Sequence, residues 1–251
     1  MQRYFIEIAY RGTSYCGWQV QPNANTVQAE LDKALSTLLR HEVNTLGAGR
    51  TDTGVHASFF VAHFDSPHKN LHWDQKLLSS LNEVLPKDIA VKEIVAVIPE
   101  AHARFTALSR TYEYRISRHK NPFSIETSWL FKADLDIDKM TRASNKLLNY
   151  SDFTSFSKLG SDVKTNNCKI FFALWEIQDS DLVFTIRADR FLRNMVRAIV
   201  GTLIDVGRGK ISEAEFVKII EARDRSLAGT SAPPEGLFLT NIEYPVNIFL
   251  E

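Results

Sequence analysis

The chain has 251 residues, with 30 lysines and arginines balanced by 30 aspartates and glutamates, 44% hydrophobic residues and 24% charged ones. This is the composition of an ordinary soluble globular protein of one large or two smaller domains, and it excludes a generally basic nucleic-acid binder, so any RNA site must be a local patch. No run reaches the length of a membrane span, and two isolated cysteines, Cys16 and Cys168, exclude a disulfide framework or a cysteine-rich zinc site. The start, Met1-Gln2-Arg3-Tyr4, lacks the apolar stretch of a secretion signal. The expectation is a cytoplasmic protein with reduced thiols and no membrane partner.

The alternation of Tyr4, Ile6, Ile8 and Tyr10 with Phe5, Glu7 and Ala9 predicts a strand over 4–10. After a polar loop through Pro22, Asn25 with Gln28 reads as an N-cap with capping-box spacing, and Val27, Leu31, Ala34, Leu35 and Leu38 predict a helix over 26–39. The stretch Gly47-Ala48-Gly49-Arg50-Thr51-Asp52-Thr53-Gly54-Val55-His56-Ala57 comes next. Three glycines in eight residues give a tight, shaped loop, since glycine tolerates positive φ and close approach of another backbone. Strand residues 58–64 follow, then a helix over 73–85 stopped by Pro86 and a strand over 89–97.

The second half begins near Ala103. A strand is expected over 111–117, a helix over 138–148, a hairpin of 169–178 and 182–188 around Asp179-Ser180-Asp181, and a helix over 192–206. Ser212 with Glu215 is a capping box opening a helix to about Ala222, and 237–244 is the last strand. The matching order of elements predicts an α+β fold of two similar lobes, 1–102 and 103–251, sharing a central sheet. Residues 158–167 and 229–236 read as mobile loops.

Three constellations could carry chemistry. Asp52 is a carboxylate on a glycine-bent loop beside Arg50; the bland alternative is a backbone-capping turn. Arg110, Tyr112 and Tyr114 share one strand face, either as packing or as a ring that stacks on a splayed base. Arg190, Arg193 and Arg197 fall three and four residues apart, on one face of the expected helix, either solvated or holding phosphates and a carboxylate. His63, His68 and His72 lie in one region, but the polar surroundings and Pro67 argue against a metal.

These strings resemble the tRNA pseudouridine synthase A family. Gly-Ala-Gly-Arg-Thr-Asp-x-Gly-Val-His-Ala is similar to its signature, with one variable position in eleven, held here by Thr53 where alanine is more usual. Arg110-Thr111-Tyr112-Glu113-Tyr114, Phe191 through Met195-Val196-Arg197, and Glu235-Gly236-Leu237-Phe238-Leu239 resemble its later motifs in the same order, Arg193-Asn194 replacing other polar residues. The resemblance spans nearly the whole chain. It implies the pseudouridine synthase fold, mostly antiparallel, with helices flanking the sheet and a catalytic cleft between the lobes. The implied activity converts uridine to pseudouridine in tRNA at positions 38–40 of the anticodon arm, by base flipping, with no cofactor and no metal. It assigns catalysis to Asp52 and substrate binding to Arg50, Tyr112, Arg197 and Leu237, with Arg110, Arg190 and Arg193 on the RNA backbone. It implies a homodimer. The readings kept beside it are a synthase acting on other RNA positions, an inactive RNA-binding homologue, and an Asp/His metal hydrolase built from Asp52, His56 and His63.

Overall fold

The computed structural model describes residues 1–250 except 159, 161–163 and 180. The chain divides into two compact units, residues 1–108 with 239–251, and residues 109–238. This division differs from one at 102/103 because the C-terminal segment returns to the first unit. Leu108 N donates to Glu243 O at 2.8 Å, and Tyr244 OH to Ala103 O at 2.6 Å.

The first unit runs β1 (Gln2–Tyr10), α1 (Val27–Leu39), β2 (Leu46–Gly47), β3 (His56–Ser66), α2 (Gln75–Val84) and β4 (Ile89–Val97). β1 is the middle strand, antiparallel to both β3 and β4, with Ile6 opposite Ala62 on one side and Ile94 on the other. Tyr4, Ile6 and Ile8 are fully buried, as the alternation requires, and Phe5 is buried too, because Tyr244 and Phe249 from the C-terminus pack on its ring. The cap of α1 is Thr26 rather than Asn25: the Thr26 side chain accepts from Ala29 N, while the Asn25 amide donates to Ser14 O. α2 begins two residues later than periodicity suggests, because Asp74 caps Leu77 N at 2.9 Å and 71–73 form a single 3-10 turn. Leu85, extended ahead of Pro86, ends it.

The second unit runs β5 (Ser109–Ser117), β6 (Trp129–Leu130), α3 (Ile137–Lys146), β7 (Ile170–Gln178), β8 (Asp181–Ala188), α4 (Met195–Gly207), α5 (Glu213–Ala222) and β9 (Leu237–Glu243), the last passing back into the first unit from 239. β8 lies between β5 and β7, antiparallel to both; the short β6 joins β5 in parallel. The β7–β8 hairpin forms as expected, with Gln178 opposite Asp181; Ser180 of its turn lies outside the described residues. The Ser212–Glu215 capping box is present in both directions. The chain is thus an α+β protein whose strands are mostly antiparallel.

The expected helix over 192–206 starts three residues late. Asn194 sits at φ +65°, in the left-handed region, and a turn closed by Met195 N on Leu192 O precedes the first helical residue. Arg190 and Arg193 therefore lie ahead of α4 and share no helix face with Arg197. Nor is α4 a solvated amphipathic helix: from Met195 to Gly207 every residue except Arg197 and Asp205 is buried. A helix that is apolar all round belongs in a core.

Candidate active site

The loop 48–55 is fixed by bonds from outside itself. α1 supplies the approach: Gln28, Asp32 and Ser36, four apart and so on one stripe, hold the segment before β2. Gln28 donates to Thr45 O at 2.6 Å, Asp32 accepts from Thr45 N at 2.9 Å, and Ser36 Oγ accepts from Val43 N at 2.9 Å. Within the loop, Thr51 Oγ1 bonds the Tyr10 hydroxyl at 2.9 Å, Gly54 N donates to Tyr15 O at 3.3 Å, and Val55 N closes back on Asp52 O at 3.1 Å. Tyr15 is itself held by a 2.6 Å bond from its hydroxyl to Asp88. The backbone around Asp52 is thereby fixed from two sides while its carboxylate is half-buried and Arg50 is exposed.

The glycines of this region do different things. Gly54 has φ +79°, which an L side chain rarely adopts. A Cβ on Gly47 would press into the Trp18 indole and the Phe60 ring, whereas one on Gly49 would meet nothing. The tightest approaches come from Gly12 and Gly17, outside the signature. A side chain on Gly12 would strike the Val55 carbonyl, and one on Gly17, at φ +87°, the Thr51 carbonyl. His56 is fully buried, and its Nδ1 accepts from Gly12 N at 3.0 Å. It supports the loop, with Nδ1 occupied as an acceptor.

In the second unit, β5 places Arg110 and Tyr112 opposite Ala188 and Ile186 of β8. Arg110 donates to Asp189 O at 2.8 Å, and the Asp189 carboxylate accepts from Arg190 N at 2.7 Å. The Tyr112 ring is half-buried and meets Phe191 edge-on at 5.1 Å. Arg110, Tyr112 and Arg190 are therefore one neighbourhood, gathered at Asp189-Arg190-Phe191. Arg193 is exposed, and its carbonyl accepts from Lys158 N at 3.0 Å.

Arg197 belongs to a second neighbourhood. Its Nε donates to Ala232 O at 2.7 Å, and Ala232 N returns a bond to Arg197 O at 2.9 Å. The segment 229–236, expected to be mobile, is a strap pinned along its length. Gly229 N bonds Thr202 Oγ1 at 2.9 Å, Asn194 bonds Ser231 at 2.6 Å, and the Tyr114 hydroxyl donates to Pro233 O at 2.8 Å. A Cβ on Gly201 would collide with the Thr230 carbonyl, so strap and helix touch backbone to backbone. Leu237 follows the strap directly and is 6% exposed. Of the other expected loop, 158–167, residues 159 and 161–163 lie outside the described residues.

Residues 7–106 and 143–245, parts of both units, match the family model described as tRNA pseudouridine synthase. The chain belongs to the tRNA pseudouridine synthase family. Similar relatives include the tRNA pseudouridine synthase A of Bacteroides thetaiotaomicron, 55% identical over 254 residues, covering 100% of this chain and 94% of the relative. That of Bacteroides fragilis is 56% identical over 250 residues, with 99% of each chain covered. The more distant enzyme of Treponema denticola is 40% identical over 250 residues, covering 97% of this chain and 93% of its own.

Within this synthase family fold, the hydrolase reading has no ligand set. His56 Nδ1 is engaged by Gly12, and His63 Nδ1 accepts from Ala103 N at 3.2 Å. Among the described residues no three His, Cys, Asp or Glu side chains are placed to hold a metal ion. Nor, among them, is any helix long and apolar enough to cross a membrane. The supporting residues Gly12, Gly17, Tyr15, Asp88 and the 28/32/36 stripe escaped the sequence reading. The stripe had a signal, three polar residues at helical spacing beside an apolar one; the remote glycines had none.

Proposed function

We propose that this synthase isomerises uridine to pseudouridine in the anticodon arm of tRNA, at positions 38–40, with Asp52 as its catalytic residue. The C1′–N1 bond breaks, the released uracil turns while still bound, and C5 bonds to C1′. C5 gives up its proton and N1 gains one, so nothing is consumed and the residues alone can carry the reaction. A hydrolytic glycosidase needs two carboxylates because it must manage water. Here one suffices, whether Asp52 attacks the sugar, attacks the base or removes a proton.

The observation that carries this reading is the Asp52 loop, with a half-buried carboxylate on a backbone bonded on both sides. A fixed carboxylate loses little to reorganisation when charge develops beside it. The uridine must leave its stack, at a cost of roughly a few kcal/mol. We assign Arg50, exposed two residues before Asp52, to the vacated space. Tyr112 holds the flipped base by its ring, Leu237 encloses it, and Arg197 takes part in substrate binding. Arg110, Arg190 and Arg193 meet RNA phosphates. The enzyme acts in the cytoplasm as a homodimer, each tRNA touching both subunits; sedimentation of the enzyme with and without tRNA checks the assembly.

Nucleotide-resolution mapping of tRNA from cells with and without this chain tests the assignment. Loss of pseudouridine at 38–40 is expected. Loss at other positions would move the site but keep the chemistry, and an unchanged map would reject the function.

A further inference from the structure

Resting on that reading, we propose that His102, Arg104 and Phe105 form a second RNA-binding shelf, which stacks an unpaired nucleotide flanking the target uridine.

Phe105 is 75% exposed, yet the turn that carries it is tightly made. Thr106 N donates to His102 O at 2.9 Å, and His102 N to Thr106 Oγ1 at 2.9 Å. His102 Nδ1 accepts from both Arg104 N and Phe105 N, at 3.1 and 3.4 Å. The turn stands on a buried base. Ala101 and Ala103 are 1% and 0% exposed. Arg3 donates to Ala101 O at 3.0 Å, the Tyr244 hydroxyl to Ala103 O at 2.6 Å, and Ala103 N to His63 at 3.2 Å. A large ring held out in water on so rigid a pedestal is not a side chain that failed to find the core.

The chemistry of the shelf suits a nucleobase. The His102 ring lies 4.4 Å from the Phe105 ring, and the Arg104 guanidinium lies 5.5 Å from the Phe105 centroid. Two flat rings beside a cation offer π-stacking and an attraction for phosphate together, the combination by which proteins hold single-stranded RNA without reading sequence. An apolar partner would not call for the arginine. Burial and the nearby Arg3 and Arg104 hold the His102 pKa below its ordinary value, which keeps the ring neutral and able to accept the two backbone N–H groups.

The pedestal also shares its support with the catalytic loop. His63 of β3 stands opposite Leu46 of β2, the residue from which the chain enters the Gly47–Ala57 stretch. The shelf's base and the entry to the catalytic loop thus share β3. That is why we assign the shelf to a near neighbour of the target rather than to a distant part of the tRNA.

The test compares Phe105→Ala, Phe105→Trp and Arg104→Ala with wild type, using one full-length tRNA transcript. Kd comes from filter binding, the chemical step from single-turnover rates at saturating enzyme, and assembly from sedimentation. The expected result is a Kd about tenfold higher for Phe105→Ala. Phe105→Trp should recover it, Arg104→Ala should raise Kd and reduce its salt dependence, and single-turnover rates should hold. An abasic nucleotide beside the target should raise the wild-type Kd and leave that of Phe105→Ala unchanged. An active wild type with the same Kd for Phe105→Ala would overturn the shelf alone. Dissociation of an assembled wild type into monomers by Phe105→Ala would make the patch a contact with a second copy, also overturning it. A wild type that forms no pseudouridine would instead reject the functional reading beneath it.

Discussion

The loop that carries Asp52 and the helix that carries Arg197 are both stiff, by different means. The loop has no regular structure and owes its shape to neighbours: Tyr10, Gly12, Tyr15 and Gly17 all reach it from an earlier part of the chain. α4 has regular structure, is buried nearly all round, and is held from outside by the 229–236 strap at Arg197 and Thr202 and by Asp136 N on Gly207 O at its end. The loop is thus sensitive to glycines far from it in sequence, and the helix to small residues along its own length. The difference teaches that a signature motif can be the visible part of a site whose stiffness is built elsewhere.

The largest expected effect falls at the loop's tip. Asp52→Asn should abolish turnover and leave tRNA affinity nearly unchanged, because affinity comes mainly from phosphate contacts; filter binding beside a tritium-release assay separates the two. On the helix side, Arg197→Ala should lower the chemical rate about 10²–10³-fold, the usual cost of losing one charged stabilising group. Arg197→Lys should recover part of that, having one donor for Ala232 O but no planar fork. A lysine variant at full rate would show that the fork is dispensable.

Next come Tyr112 and the remote glycines. Stacking on a base is worth about 1–3 kcal/mol, so Tyr112→Ala should slow single-turnover conversion about tenfold to a hundredfold and Tyr112→Phe far less. Equal failure of both would shift the role from the ring to its hydroxyl. Gly17→Ala meets a backbone carbonyl at a left-handed φ and should cost roughly 2–4 kcal/mol in urea unfolding. Gly49→Ala, with open space around it, should stay within about 0.5 kcal/mol. If the two glycines cost the same, the loop is not shaped from outside.

How much of this was legible turned on range. β1, β3 and β4, the Ser212 capping box and the β7–β8 hairpin follow from the sequence, because alternation and capping are written within a few residues. The apolar pattern runs on through Leu192 and predicts an earlier start for α4, because nothing local announces that Asn194 turns left-handed. The strap's prolines and small residues predict mobility, whereas the partners that pin it, Thr202, Asn194 and Tyr114, are up to 119 positions away in sequence. β2 and β6, two residues each, carry too short a pattern to see. At the candidate site, the motif strings and their order are written in the sequence, but the posts behind the loop are not.

A further expected effect is a pH dependence of the loop's foundation. Burial holds the His63 pKa down to about 4, against an ordinary value near 6.5. The unfolded chain therefore takes up this proton first. The contribution of neutral His63 is complete above about pH 6.5 and is lost as pH falls from there toward 4, roughly 3 kcal/mol in all. Urea midpoints should drop between pH 7 and pH 5, and His63→Gln should flatten the drop.

The central claim is that Asp52 on this externally braced loop is the catalytic residue of a uridine isomerisation that needs no metal. The most direct measurement incubates purified wild type and Asp52→Asn with a tRNA transcript in excess chelator and maps pseudouridine at nucleotide resolution. The account predicts pseudouridine in the anticodon arm with wild type, undiminished by the chelator, and none with Asp52→Asn. Product from Asp52→Asn, or wild-type activity lost to the chelator, would contradict it.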